Sequence, residues 1–418
     1  MPFDGLWRDR EFLKLWAGQA VSQMGSRISA TALPLAAALT LQATPFQMGL
    51  LSGAGAAAIL IFGLFAGAWV DRVHRRPVLI LADLARAAIL LAVPIAASMN
   101  RLSMPVLYAV AASTGLLTVF FDAGYQSYIP SLVKRDKLLE ANSKLALTES
   151  VADIGGPGLG GILVAWFTAP MAFLFDAASF LFSAFSIWRI DRPEPPPAVP
   201  EHADMRREIA EGLHASWRDP ILRALMLRTG TAGIFAGVFG GLYYLFAIRE
   251  LHLDAALLGI IISLGGASNL FGALVSERLV RRWGVGPVMI GAAVVTGLAI
   301  MILPLARGTV VTRAALLAFA QCFDMTWPIY MINERTLRQA ITPDRLLGRV
   351  NSAMHLLFYG AMPLGALGGG AIAQSAGLRP VMLAGALGFL LSTAFLIASP
   401  LRRLRDLPSG LSSSAIAP

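Results

Sequence analysis

Four carboxylates stand inside long apolar runs, where an ionised group is costly: Asp122 in "VFFDAGY", Glu149 and Asp153 in "LTESVADIGG", and Asp324 in "QCFDMTW". Apolar burial favours the neutral form of a carboxyl, so such a group can load a proton from one side and release it to the other. Glu149, Asp153 and Pro157 are spaced i, i+4, i+8 and share one helix face; Gln19, Gln23 and Arg27 repeat that spacing in an earlier run. Asp122, Asp153, Glu149 and Asp324, with Gln23 and Arg27, are therefore candidate proton- or substrate-handling residues. The other role open to each acid is to pair with an arginine or to cap broken backbone. The Phe-Asp pair found at both Asp122 and Asp324 favours that structural role for those two. Asp83 and Arg86, three apart, read as a local ion pair, and Asp176 as structural.

The elements that must hold these groups are membrane helices. The chain has 418 residues, 56% hydrophobic and 14% charged, against about 25% charged in soluble domains. Mean hydropathy is +0.66. The apolar residues come in long blocks, which spells spanning helices rather than a β-barrel. A single cysteine, Cys322, excludes internal disulfides and cysteine metal sites, and the five histidines lack ligand spacing. There is no Ser/His/Asp set and no G-xxxx-G-K-[ST] nucleotide loop, so an enzyme is not expected and active transport must draw on an ion gradient. No cofactor is expected. Asp4, Asp9 and Glu11 ahead of the first apolar run argue against a cleaved signal peptide.

Twelve segments are long enough to span, at about 12–40, 45–70, 77–99, 104–130, 142–167, 170–190, 220–247, 255–277, 286–306, 312–333, 351–376 and 379–399. The expected organisation is an N-terminal six-helix bundle (1–192), a cytoplasmic linker (193–218), a C-terminal six-helix bundle (219–405) and a disordered tail (406–418). The linker opens Pro-rich, and its part near 201–217 could form an amphipathic surface helix. One set of loops carries Arg72, Arg75, Arg76, Lys134, Arg135, Lys137, Arg278, Arg281, Arg282, Arg335, Arg338, Arg345 and Arg349; the opposite set carries only Arg101, Arg249, Arg307, Arg313 and Arg379. The rich side is cytoplasmic and takes both termini, so the basic surplus is a topology signal and not a nucleic-acid site.

The two halves repeat. "VDRVHRR" at 70–76 returns as "SERLVRR" at 276–282, "FFD" as "CFD", and "RDKLLEANS" as "PDRLLGRVNS". Each half has six spans, so the repeat is parallel, about an axis along the membrane normal. In the first copy Gly67 allows close helix approach, and Asp71 stands where its helix leaves the membrane, able to accept from arginines or from exposed amides of a helix N-terminus. With Arg72, Arg75 and Arg76 it can form a latch between halves that holds in one conformation and breaks in another. Each charge-assisted contact contributes about 1.5–3 kcal/mol. A plain topology anchor would explain the arginines but not Asp71. The second copy, Glu277, Arg278, Arg281 and Arg282, has Ala273 in place of the glycine and reads as a weaker latch.

The stretch Gly67-xxx-Asp71-Arg72-xx-Arg75-Arg76 resembles the loop motif of the major facilitator superfamily, and the likeness extends over residues 10–400. "GLFAGAWVDRVHRRPVLILADLARA", "FDAASFLFSAFS" and "GRVNSAM…GAMPLGALGGG" resemble its branch of macrolide-efflux and enterobactin-exporter-like drug:proton antiporters. The resemblance implies an all-α membrane fold of two pseudo-symmetric six-helix bundles that expose a central site alternately to either side, with the first latch meeting the start of the eleventh span near Asn351. Gly156-Pro157-xx-Gly160-Gly161 resembles the exporter motif of the fifth span, with Ala152 for its leading glycine; generic small-residue packing would account for it too. The fourth span lacks the drug-exporter arginine, which weakens any arginine-based proton mechanism. Phe121, Tyr125, Phe323, Trp327 and Tyr330 could line a broad apolar pocket, although packing and lipid contact are common for such residues. The resemblance thus implies a proton-coupled exporter of amphipathic organic molecules, drug or siderophore class, working as a monomer in the cell membrane with lipid, protons and a small molecule as its partners. The runner-up is a lysophospholipid flippase or facilitated transporter of the same fold.

Overall fold

The structure, a computed structural model, describes residues 5–70, 72–194 and 205–406. Those residues form helices and turns without a strand. After a single turn at Gly5–Arg8 come α1 (Arg10–Leu35), α2 (Pro45–Val70), α3 (Arg75–Ser98), α4 (Met104–Leu132), α5 (Leu138–Trp166) and α6 (Ala169–Trp188). The second half contains α7 (Met205–Arg218), α8 (Pro220–Arg249), α9 (Ala255–Trp283), α10 (Val285–Leu305), α11 (Val310–Gln321), α12 (Thr326–Ile341), α13 (Asp344–Ala376), α14 (Leu378–Leu391) and the single turn α15 (Ala394–Ile397).

The apolar pattern predicts twelve spans; among the described residues, ten segments are long and apolar enough to cross a membrane. The two outside that set are α1 and α5, the helices that carry Gln19, Gln23, Arg27, Glu149 and Asp153. Their polar faces lower their apolarity, and those faces need partners inside the protein. The expected tenth span, 312–333, is also not one helix: α11 stops at Gln321 and α12 starts at Thr326. The twelfth divides likewise at Ser392–Thr393. Several basic residues expected in loops lie in helices instead. Arg278, Arg281 and Arg282 close α9, and Arg335 and Arg338 belong to α12, where Arg338 is buried on Glu334 at 2.7 Å.

The chain divides into two compact units, Met1–Glu201 with Tyr244–Ser263, and His202–Tyr243 with Leu264–Pro418. The short segment that joins the first unit comprises the end of α8 and the start of α9. In the first unit α1 packs on α6 through Gly18 and Gly25, where a Cβ would meet Ser183 and Ser186, or Ser179 and Asp176. Small residues are the expected device, because lipid is as apolar as the helices and only close packing and hydrogen bonds hold them together. Phe12, Leu15, Leu79, Tyr128 and Ile187 form the buried cluster at one end of this unit. In the second unit Leu225, Met289, Ala293, Tyr330 and Met354 do the same. The linker helix α7 docks on α13: Arg349 bonds Glu211, and a Cβ at Gly212 would strike the Arg349 backbone.

Candidate functional site

In the first unit the shared face predicted for Glu149 and Asp153 is real, and it faces α1. Arg27 Nε lies 2.5 Å from Asp153 Oδ1, and Arg27 Nη2 lies 3.6 Å from Glu149. Glu149 is exposed, at 57%, and Arg27 and Asp153 are partly exposed, at 39% and 42%, so the triad borders an open surface of the bundle. Arg27 and Gln19 do not face the same neighbour: Gln19 donates to Ser183 of α6 at 3.4 Å. Eight residues of α-helix turn through two circles and about 80° more, enough to move from α6 to α5. Gln23, between them, is half-buried. Asp122 is exposed on α4. Asp83 and Arg86 form the expected pair, buried, with the Arg86 guanidinium 4.2 Å from both the Phe121 and Phe180 rings. Asp176 is buried and accepts from Ser179 at 3.1 Å.

The α5 motif works through backbone proximity. A Cβ at Gly156 would collide with Arg27, and one at Gly160 would press tightly on Thr31 and Ile28 of α1. On another face, Gly161 abuts the Ala255 carbonyl and Gly259 of α9, and the Gly158 amide donates to Ser263 Oγ at 2.9 Å. Pro157 removes one helix bond here, and its own carbonyl lies where a Cβ at Gly259 would go. One turn of α5 thus contacts both the helix carrying Arg27 and the start of α9.

Of the first loop motif, Asp71 lies outside the described residues, as do the surroundings of Gly67. Arg72 is exposed. Arg75 and Arg76 are engaged by a residue that sequence reasoning missed: Glu194, whose carboxylate accepts from both their backbone amides at 2.7 and 3.2 Å. It acts as an outside cap, an anion at the start of α3. Arg76 also donates to the Trp188 carbonyl at 2.6 Å, tying α3 to the end of α6. In the second copy Glu277 and Arg281 pair at 2.6 Å, both well exposed, while the Arg282 guanidinium lies 5.7 Å from the Trp283 ring.

The aromatic set divides. Phe121 stacks on Tyr125 at 6.0 Å in the first unit. In the second, Tyr330 is buried under Arg228 at 3.6 Å and Phe323 packs on Phe319 at 5.1 Å. Trp327 alone of the three lines a cavity of about 330 Å³ within this unit, beside Phe239, Phe389, Asn269, Gln321 and Asp324.

Asp324 occupies the break between α11 and α12. Pro328, four residues on, has no amide to give the Asp324 carbonyl, and its ring crowds that oxygen. The turns tighten to i−3 bonds: Asp324 N to Gln321 O at 3.1 Å and Trp327 N to Asp324 O at 2.9 Å. Ser268 of α9 splices the gap, donating to Cys322 O at 2.6 Å and accepting from Met325 N at 3.0 Å. Cβ atoms at Gly265 and Gly272 would strike Asp324 and Gln321, and the Met325 backbone. The counterpart Asp122 has Gln126 four residues on, and α4 runs unbroken through it. Ser268, Asn269 and Gln321 escaped sequence reasoning; the signal available was Pro328 in register with Asp324.

A model of the family described as transmembrane secretion effector matches residues 5–415. The multidrug efflux pump Tap of Mycolicibacterium fortuitum is 29% identical over 373 residues, 85% of this chain and 88% of that protein. The enterobactin exporter EntS of Citrobacter koseri is 25% identical over 410 residues, 95% and 94% of the two chains. Among solved structures, the nucleoside transporter NupG superposes with a TM-score of 0.76 at 13% identity, over 93% of this chain and 98% of that one. A bacterial homologue of the iron transporter ferroportin, in its inward-facing state, gives 0.75 at 18%, over 94% and 98%. At these identities the structures speak for the fold alone.

Proposed function

Because this chain belongs to the transmembrane secretion effector family of the major facilitator superfamily, and is thus a multi-pass membrane transporter and not an enzyme, we propose that it exports amphipathic organic molecules in exchange for protons. The count reaches twelve spans if α1 and α5 cross the membrane and α11–α12 and α14–α15 each count as one, with both termini on the cytoplasmic side of the plasma membrane. Two relatives that carry efflux or exporter names support the direction.

The observation that carries the reading is the triad of Arg27, Asp153 and Glu149 beside the Gly156-Pro157-xx-Gly160-Gly161 turn. Protonating Asp153 removes the charge that holds Arg27, and α1 can then shift on the glycine face of α5. A carboxylate on an open bundle face is reachable by protons, and its partner gives the two protonation states different packing, which is what coupling requires. Asp71 with Arg72, Arg75 and Arg76 serves in this reading as the cytoplasmic latch, and Asp122 as a second proton-handling acid.

The test is export from proteoliposomes with an imposed pH gradient. Export of a fluorescent amphipathic drug should track the gradient and stop when an ionophore collapses it. Asp153→Asn should lose gradient-driven export yet keep counterflow, which needs no net proton release. Transport indifferent to the gradient would sink the antiport reading in favour of lipid flipping or facilitated diffusion.

A further inference from the structure

The break in the second unit opens on a cavity whose polar lining includes Asp324, Asn269 and Gln321. The Asp324 carboxylate has no hydrogen bond or ion pair with any described residue, and Asn269 Oδ1 is buried and unsatisfied. Both line the same cavity of about 330 Å³. The remaining wall is mostly apolar, with the Trp327 and Phe389 rings 6.5 Å apart and Phe239 beside them. An unpaired carboxylate at membrane depth must be neutral or must take a cation. Its position is imposed: Pro328 forces the break, Ser268 closes the two loose backbone ends, and Gly265 leaves the space that Asp324 Oδ2 and Gln321 Nε2 occupy.

The ligand chemistry can be deduced from this inventory. Two acceptors call for a donor-rich positive group, and aromatic faces attract the same charge. A bare metal ion is a poor match, since hard cations want six or more oxygens and no group of three metal-ligating side chains occurs among the described residues. An anion would meet a carboxylate. The volume falls at the lower end for small-molecule sites, about 300–1,000 Å³, which suits a one- or two-ring body. We propose that this cavity is a binding site for the protonated amine end of an amphipathic ligand, the ammonium on Asp324 and Asn269 and the apolar body among Phe239, Trp327 and Phe389. The proposal rests on the reading of the chain as a transporter of amphipathic molecules but not on proton coupling or on the direction of transport.

Binding to the purified full-length protein in lipid nanodiscs tests it, with no gradient present. The probes are 1-naphthylmethylamine, cationic at neutral pH, and 1-naphthalenemethanol, its neutral counterpart of the same shape. Wild-type protein should prefer the amine by about tenfold or more, the scale of a hydrogen bond to a charged group. Asp324→Asn should remove that preference and leave the alcohol unchanged. Asn269→Leu, which keeps the carboxylate, should weaken the amine alone. Equal wild-type affinities for the two probes would overturn the proposal without recourse to any variant, as would undiminished amine preference in a folded Asp324→Asn protein. Because the assay contains no gradient, failure here leaves the export reading standing, and failure of gradient-driven export leaves this site standing.

Discussion

Ser268 provides the sharpest test of how the α11–α12 break is held. Its hydroxyl donates to Cys322 O at 2.6 Å and accepts from Met325 N at 3.0 Å, so Ser268→Ala deletes two hydrogen bonds and orphans two backbone groups. If both groups went wholly unsatisfied the cost would be about 2–6 kcal/mol, from about 1–3 each. Interhelical side-chain bonds measured in membranes average about 0.6 kcal/mol and reach about 1.7, because the unfolded state in lipid finds partners too. The pair here is short, and both partners are backbone at a forced break, which places the expected loss between those bounds, at about 1–3 kcal/mol. Reversible unfolding in mixed micelles measures it. Ser268→Thr keeps the hydroxyl and should recover most of the loss. Cys322, the chain's sole cysteine and exposed at the break, supplies a second readout: maleimide should label it faster in Ser268→Ala, since its carbonyl has lost its donor. Unchanged stability together with an unchanged labelling rate would refute the idea that this hydroxyl splices the two helices.

The same geometry yields other expectations. Gly161→Val places carbon against the Ala255 carbonyl and Gly259 Cα, backbone atoms that cannot step aside; the variant should reach the membrane but lose transport in a proteoliposome assay, and normal turnover would discount that crossing. Arg86→Met strands Asp83 as a buried unpaired charge and should destabilise by about 3–5 kcal/mol, whereas the paired change Asp83→Leu with Arg86→Met should restore most of it in the same unfolding measurement. Glu140, outside the spans, has its carboxyl held below the ordinary range by the Leu6 amide, which donates at 2.9 Å, and further by Lys144. A lowered native value means its stabilisation is complete above the ordinary carboxylate pKa and is lost as pH falls through the lowered one. Protection of the Gly5–Arg8 amides, taken relative to the intrinsic exchange rate at each pH, should accordingly fall in acid, and Glu140→Gln should flatten that dependence; an identical acid response in the variant would assign the effect elsewhere.

The family and the helical class were legible in the linear chain because they rest on patterns the bilayer imposes. Lipid forces long apolar runs, marks the cytoplasmic side with arginine, and makes each intramembrane acid conspicuous. Helical spacing likewise put Glu149 and Asp153 on one face, and that face is the one that meets Arg27. Choosing between an acid's partners was another matter. Nothing local says that Arg27 turns to α5 while Gln19 turns to α6, that Glu194 reaches back 119 residues to cap α3, or that Ser268 stands 57 residues from the amide it receives. Those pairings depend on which helices pack together, a property of the folded bundle. Pro328 lies between the two cases: it announces a fault in the tenth span from sequence, but only the packing of α9 decided that the fault would hold an unpaired carboxylate beside an aromatic cavity rather than close over it.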